Sequence, residues 1–251
     1  MKDIILDDRK QYLPNLCMVV LTLICLALIW IGGILFHNSA LVSTLIGLYA
    51  IIMVLVGVIM ISMAGKAFMA DMRNQGIWKM RKNQGKSLLG VIGCKTTLYA
   101  GLLFITEMLY ALVMAGLVFW TYHSFDEEKE AMDELFAKTF GENYSLSGKN
   151  AVIILEFVLV AVTAIALVFF AVTIVYNGFS RGRYAGVLAG VFYVSVGYAI
   201  IRITLGLTSK AGSEAERSLK GSLIMAILAA VCLAAVWYST KKHQWDSEQQ
   251  I

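Results

Sequence analysis

Charged residues are scarce in this chain. They make up 15% of its 251 residues, against about 25% in soluble domains. Hydrophobic residues make up 59%, and the mean hydropathy is +0.74. That balance excludes an ordinary soluble domain and points to an integral membrane protein. Histidine is scarcer still: His37, His123 and His243 lie scattered outside the apolar runs and form no ligand cluster. Neither a metal site nor a bound cofactor is expected. The four cysteines, Cys17, Cys25, Cys94 and Cys232, include no CxxC pair. They read as small buried hydrophobes. The period-two alternation of a membrane β-barrel is absent. So is an intramembrane protease constellation, whether paired aspartates, a Ser–His pair or a histidine-held metal. Proline occurs once, as Pro14, and is expected in the first turn of a helix, where a missing N–H costs little.

One nucleotide-binding pattern is nearly present. Residues 80–87 read MRKNQGKS and end like a phosphate-binding loop, G-x-x-x-x-G-K-[ST]. The first glycine of that loop lets the backbone fold around phosphates, and Met80 stands in its place. A phosphate loop also follows a buried strand, and no strand pattern precedes this stretch. The chain is therefore not expected to bind a nucleotide itself.

Present instead are six apolar blocks, at about 12–36, 40–64, 96–121, 151–176, 185–207 and 221–239. Each is about 19 residues or longer, enough to cross a hydrocarbon core of about 30 Å as a helix. Helix is expected because backbone polar groups in lipid must be satisfied internally. The expected fold is all-α: a single polytopic transmembrane domain over 1–251, with six spans. The first block reads as a span rather than a cleaved signal peptide, because about ten polar residues precede it and no small-residue cleavage site follows.

Lys and Arg counts set the orientation. The N-terminus, residues 65–95, 177–184 and the C-terminus together hold 14 basic residues, whereas 37–39, 122–150 and 208–220 hold 6. The asymmetry places both termini and the 65–95 connection in the cytoplasm of a plasma-membrane protein. The net charge is only +4, and the basic residues sit where this rule puts them. No nucleic-acid partner is implied, since that would need an extended basic face.

On the opposite side, residues 126–142 hold seven acids. DEEKEAMDELFAKTF reads as a short amphipathic helix, with Met132, Leu135, Phe136 and Phe140 on one face. It is either a loop helix packed on the span ends or a lid over an exit path. Asn143-Tyr144-Ser145 fits the glycosylation pattern.

Three ionisable residues fall inside spans: Glu107, Glu156 and Arg202. Such residues are costly in lipid and are functional candidates. Glu156 and Arg202 each lie about 8 Å below the same surface at 1.5 Å per residue. An ion pair between them is expected, with snorkelling of Arg202 as the alternative. Glu107 lies near the midplane. It is expected to be protonated, to face a polar cavity or to bond a neighbouring helix.

The cytoplasmic connection 65–95, GKAFMADMRNQGIWKMRKNQGKSLLGVIGCK, is too polar to span and too patterned for a slack linker. A charged run with Asp71 and Arg73 leads to Gly76 and Ile77, then to the apolar Leu88 and Leu89, then to Lys95. That order, in a six-span chain of this length, resembles the permease subunit of type-2 ABC (ATP-binding cassette) exporters, some of which export peptides, bacteriocins or toxins. The chain differs from the family pattern in carrying Lys79 after the glycine and Asn83-Gln84 in the middle. Its longest external loop also lies between spans three and four.

The resemblance implies a separate cytoplasmic ATPase subunit that binds ATP and Mg and docks on an amphipathic coupling segment. It also implies a second permease copy, identical or not. Phe68, Met69, Met72, Ile77 and Trp78 are then the expected apolar docking contacts, ringed by Arg73, Lys79, Arg81 and Lys82. Alternatively the same segment lies on membrane lipids, its basic residues on anionic headgroups. The cargo implied is amphipathic or hydrophobic, with a peptide favoured, and Met108, Tyr110, Met114, Phe119, Phe169 and Phe170 could offer it an apolar surface. The competing functions are an ion- or proton-coupled carrier using Glu107 and a membrane scaffold subunit without transport activity.

Overall fold

A computed structural model of the chain describes residues 2–36, 39–124, 149–179, 184–209 and 214–245. In chain order the helices are α1 (Lys2–Leu35), α2 (Ser39–Arg73), α3 (Gln75–Asn83), α4 (Leu88–Ser124), α5 (Lys149–Ile174), α6 (Ala185–Thr208) and α7 (Glu214–Thr240). Five-residue π-helical turns, Val175–Phe179 and Lys241–Trp245, extend α5 and α7. Among the described residues there are no strands. Six helical stretches are long and apolar enough to cross a membrane: Tyr12–Leu35, Gly47–Arg73, Leu88–Thr121, Leu155–Gly178, Ala185–Thr208 and Glu216–His243. The all-α, six-span expectation therefore holds. The amphipathic helix expected over 126–140 and the Asn143-Tyr144-Ser145 site lie outside the described residues.

Two expectations at the helix ends are corrected. Pro14 lies inside α1, because that helix begins at Lys2. Proline there cannot donate to the carbonyl four residues back. The spans expected to end at 64 and to begin at 96 both run into the 65–95 connection, as Gly47–Arg73 and Leu88–Thr121. The first nine residues of that connection continue α2, α3 makes up its middle, and LLGVIG forms the first turns of α4.

MRKNQGKS is where one helix stops and the next starts. Gly85 has φ +70, the left-handed region that glycine enters without a Cβ penalty. Its N–H donates to Lys82 O at 2.9 Å, and the Lys86 N–H donates to Arg81 O at 3.1 Å. These two bonds make a Schellman stop that satisfies carbonyls at the end of α3. Two residues later the Gly90 N–H donates to Ser87 Oγ at 3.1 Å, so Ser87 caps the N-terminus of α4. The glycine and serine of the apparent phosphate loop are thus the punctuation of a tight connection between helices.

The chain divides into two compact units. One comprises Leu13–Ile59 and Ile105–Asn150. Buried aromatic residues hold its parts of α1, α2 and α4 together. Trp30 Nε1 donates to Thr121 Oγ1 at 3.0 Å, the Tyr49 hydroxyl to Tyr110 O at 2.8 Å, and the Tyr110 hydroxyl to Val19 O at 3.0 Å. The rings of Trp30 and Tyr49 meet edge-on at 6.0 Å. Tyr and Trp suit this role because each buries a large ring while one polar atom finds a partner.

The other unit comprises Met1–Tyr12, Met60–Phe104 and Ala151–Ile251. Ala166, Leu167, Ala229 and Cys232 form a buried cluster with Phe170, Tyr193 and Leu233 against it. Gly65 lets α2 approach α5 closely, since a Cβ there would sit 3.0 Å from Val168 Cγ2. Small residues at such crossings are how helices pack in lipid. Phe68 stacks on Phe169 at 4.3 Å, and Tyr99 meets Phe169 edge-on. Cys94 and Cys232 are buried as expected, whereas Cys17 and Cys25 are exposed on α1.

Candidate functional site

The 65–95 connection closes over a buried ionic cluster. Asp8 on α1, Asp71 on α2, Arg81 on α3 and Lys95 on α4 are each at most 4% exposed. Lys95 Nζ lies 2.8 Å from both Asp8 carboxylate oxygens and 2.8 Å from Asp71 Oδ2. Arg81 Nη1 donates to the same Asp71 oxygen at 2.7 Å, and the Tyr99 hydroxyl donates to Asp8 Oδ2 at 3.1 Å. Two carboxylates face two cations, so the cluster carries no net formal charge. That balance is what permits it to be buried, because an unpaired charge in low dielectric is strongly destabilising.

Trp78 forms the roof of this cluster. Its indole N–H donates to Asp71 O at 2.9 Å, its ring lies 5.6 Å from the Arg81 guanidinium carbon, and it meets Phe68 and Trp245 edge-on. Lys82 Nζ donates to Trp245 O at 3.0 Å, which ties the end of α7 to α3. Arg81 still has buried Nε and Nη2 donors without a partner.

The sequence-selected docking residues therefore separate into two sets. Phe68, Met69, Met72 and Trp78 are buried within the chain, and Arg81 is buried with its Nη1 on Asp71. Ile77 is half-buried, while Arg73, Lys79 and Lys82 are exposed, as is Met80. The helical period explains the split. Trp78 and Arg81, three apart, turn inward, Lys79 lies about 100° round from Trp78 on the exposed side, and Lys82, four after Trp78, lies at the edge between the two, where it reaches Trp245 O. Sequence reasoning missed two members of the cluster. Asp8 lies in the polar stretch before the first apolar block, and Lys95 closes the 65–95 connection. The available signal was a lone lysine seven residues into an apolar helix, which calls for an acidic partner.

The intramembrane residues are placed as follows. Glu107 is half-buried on α4, and its Oε1 occupies the space beside Gly57 of α2, 2.8 Å from where a Cβ would stand. The expected Glu156–Arg202 ion pair does not form. Arg202 is exposed on α6 beside the exposed Ile201 and Ile203. Glu156 instead lines a cavity with Thr204, Thr208 and Arg217. Thr204 faces that cavity, and Arg202, two residues earlier, is rotated by about 200° around the helix. Equal depth is not enough without equal azimuth. Of the aromatic residues considered for cargo, Tyr110 and Phe169 are fully buried, whereas Phe119 is exposed.

No family model, curated protein or solved structure matches this chain.

Proposed function

We propose that this chain is the membrane-spanning permease subunit of an ATP-driven exporter, with α3 as the place where a separate cytoplasmic ATPase docks. The buried Asp8–Lys95–Asp71–Arg81 cluster carries the reading. It fastens a short, outward-basic helix to three transmembrane helices at once. A push on such an element moves the spans rather than bending a loop. Lys79 and Met80 form its outer face, with Lys82 at the edge and Arg73 just before it. The distribution of basic residues supports a cytoplasmic position for α3. ATP and Mg belong to the partner, and a second permease copy completes the working unit. The cargo is amphipathic or hydrophobic, with a peptide the favoured class. The chain itself supplies no catalytic group.

The test is purification of the chain from its native membranes, identification of any P-loop ATPase that accompanies it, and reconstitution of the two into vesicles. Stoichiometric co-purification and ATP-dependent movement of cargo are expected. Absence of an associated ATPase, together with transport that follows a proton gradient without ATP, would favour the carrier reading. That second reading has its own observation: Glu107 is an intramembrane carboxylate, and no ion pair reaches it among the described residues.

A further inference from the structure

A second polar site lies between α5, α6 and α7. A cavity of about 290 Å³ is lined by Glu156, Phe157, Thr204, Arg217, Gly221 and Ser222, among others. Among the described residues neither the half-buried Glu156 nor the exposed Arg217 makes a hydrogen bond or ion pair. Thr204 Oγ1 and Ser222 Oγ are buried and lack hydrogen-bond partners, and Ser222 is only 6% exposed. Buried hydroxyls and a half-buried carboxylate are costly when unpaired. Here they converge on one space beside a guanidinium.

The level of this site is informative. Glu156 is the eighth residue of α5, Thr208 the last of α6 and Arg217 the fourth of α7. The cavity therefore lies where the ends of three apolar helices come together. Its rim includes Phe157 and Val160, which are 48% and 49% exposed. Apolar residues exposed on a spanning helix face acyl chains, so the cavity can be entered from the lipid. A ligand suited to it has an ammonium, a neighbouring anion and an apolar tail.

We propose that this cavity binds the headgroup of a zwitterionic, primary-amine phospholipid. The ammonium sits on Glu156, the phosphate on Arg217, and the Thr204 and Ser222 hydroxyls complete the hydrogen bonding. The acyl chains leave past Phe157 and Val160. A primary ammonium donates three hydrogen bonds, which a trimethylated one cannot do, so the site discriminates between the two. A free zwitterion carries the same charges but lacks the tail.

The full chain is purified from bilayers containing equal parts of phosphatidylethanolamine, phosphatidylcholine and phosphatidylglycerol, and retained lipid is quantified by mass spectrometry. Retention of phosphatidylethanolamine is expected to exceed that of the other two by about tenfold, the scale of a few charge-assisted hydrogen bonds. It should fall to their level in Glu156→Gln. Gly221→Val leaves every charge in place and fills the cavity, because even a Cβ at this position would lie 3.7 Å from Glu156 Oε1. It should also abolish the preference, while a monodisperse elution profile reports an intact fold. Equal retention of the three lipids by the wild type would overturn the proposal, as would a preference that survives Gly221→Val. Displacement of the lipid by millimolar phosphoethanolamine would assign the site to a soluble zwitterion and overturn the lipid assignment. This site shares no residue with α3, so its test and that of the ATPase docking fail separately.

Discussion

Lys95 answers two carboxylates at once, which makes it the residue whose loss should be felt most. Lys95→Met leaves Asp8 and Asp71 with one cation between them. Removing one partner of a buried pair costs about 3–5 kcal/mol, so a large drop in thermal stability in detergent is expected. Adding Asp8→Asn to Lys95→Met removes the orphaned charge and should recover part of the loss. Strictly additive losses in this cycle would mean that the two side chains do not interact. The same chemistry explains what was and was not legible at this scale. That Glu107, Glu156 and Arg202 lie in apolar surroundings could be read directly from the sequence. Their partners could not. Lys95 pairs with a residue 87 positions away, and Glu156 does not pair with Arg202 although their depths agree. Depth follows from counting residues along a span, whereas pairing depends on how each helix is rotated about its axis, which a single chain's periodicity leaves open.

At the scale of elements, α3 depends on its two ends. Gly85→Ala places a Cβ on a left-handed residue and should cost about 1 kcal/mol. Ser87→Ala removes the cap of α4 and should cost a similar amount, about 1 kcal/mol. Thermal unfolding of the purified chain checks both, and a Gly85→Ala protein as stable as the wild type would argue against the left-handed stop. The outer face of α3 should behave differently. Lys79→Glu with Lys82→Glu is expected to lose the Lys82–Trp245 hydrogen bond, at a cost of about 1 kcal/mol, to keep the fold, since both side chains are exposed, and to weaken association with the proposed ATPase by tenfold or more. Reduced stability with unchanged association would assign these lysines a structural role instead. The sequence pattern of 65–95 identified a structured connection, because its apolar positions recur at helical spacing. It did not reveal that Phe68, Met72 and Trp78 are consumed by the chain's own core, because an apolar stripe looks the same whether its partner is another chain or a neighbouring helix.

At the scale of the whole molecule, the six spans followed from length and hydropathy, the most robust signals available in a membrane protein. The span limits shifted where polar residues are built into helices, as Lys95 and Asp71 are, because buried pairing lets a helix continue where composition alone indicates a stop. The competing functions make opposite demands on Glu107. In a proton-coupled carrier, Glu107→Gln abolishes transport by removing the group that exchanges the proton. In the proposed exporter, the ATPase drives the cycle, and Glu107→Gln should leave ATP-dependent transport within about twofold of wild type. Transport assays in reconstituted vesicles separate the two.

The most direct measurement is site-directed cross-linking from the outer face of α3. A single cysteine at Met80, in a background where the four native cysteines are replaced, is treated in native membranes with a short bifunctional reagent. Adducts are then identified by mass spectrometry. The expected result is an adduct with a chain that carries a complete Walker A motif, with a yield that changes when ATP is added and falls with Lys79→Glu and Lys82→Glu. A cysteine that reacts freely with soluble thiol reagents, yet gives no adduct with any P-loop ATPase in membranes where transport is active, would contradict the proposed docking and with it the exporter assignment.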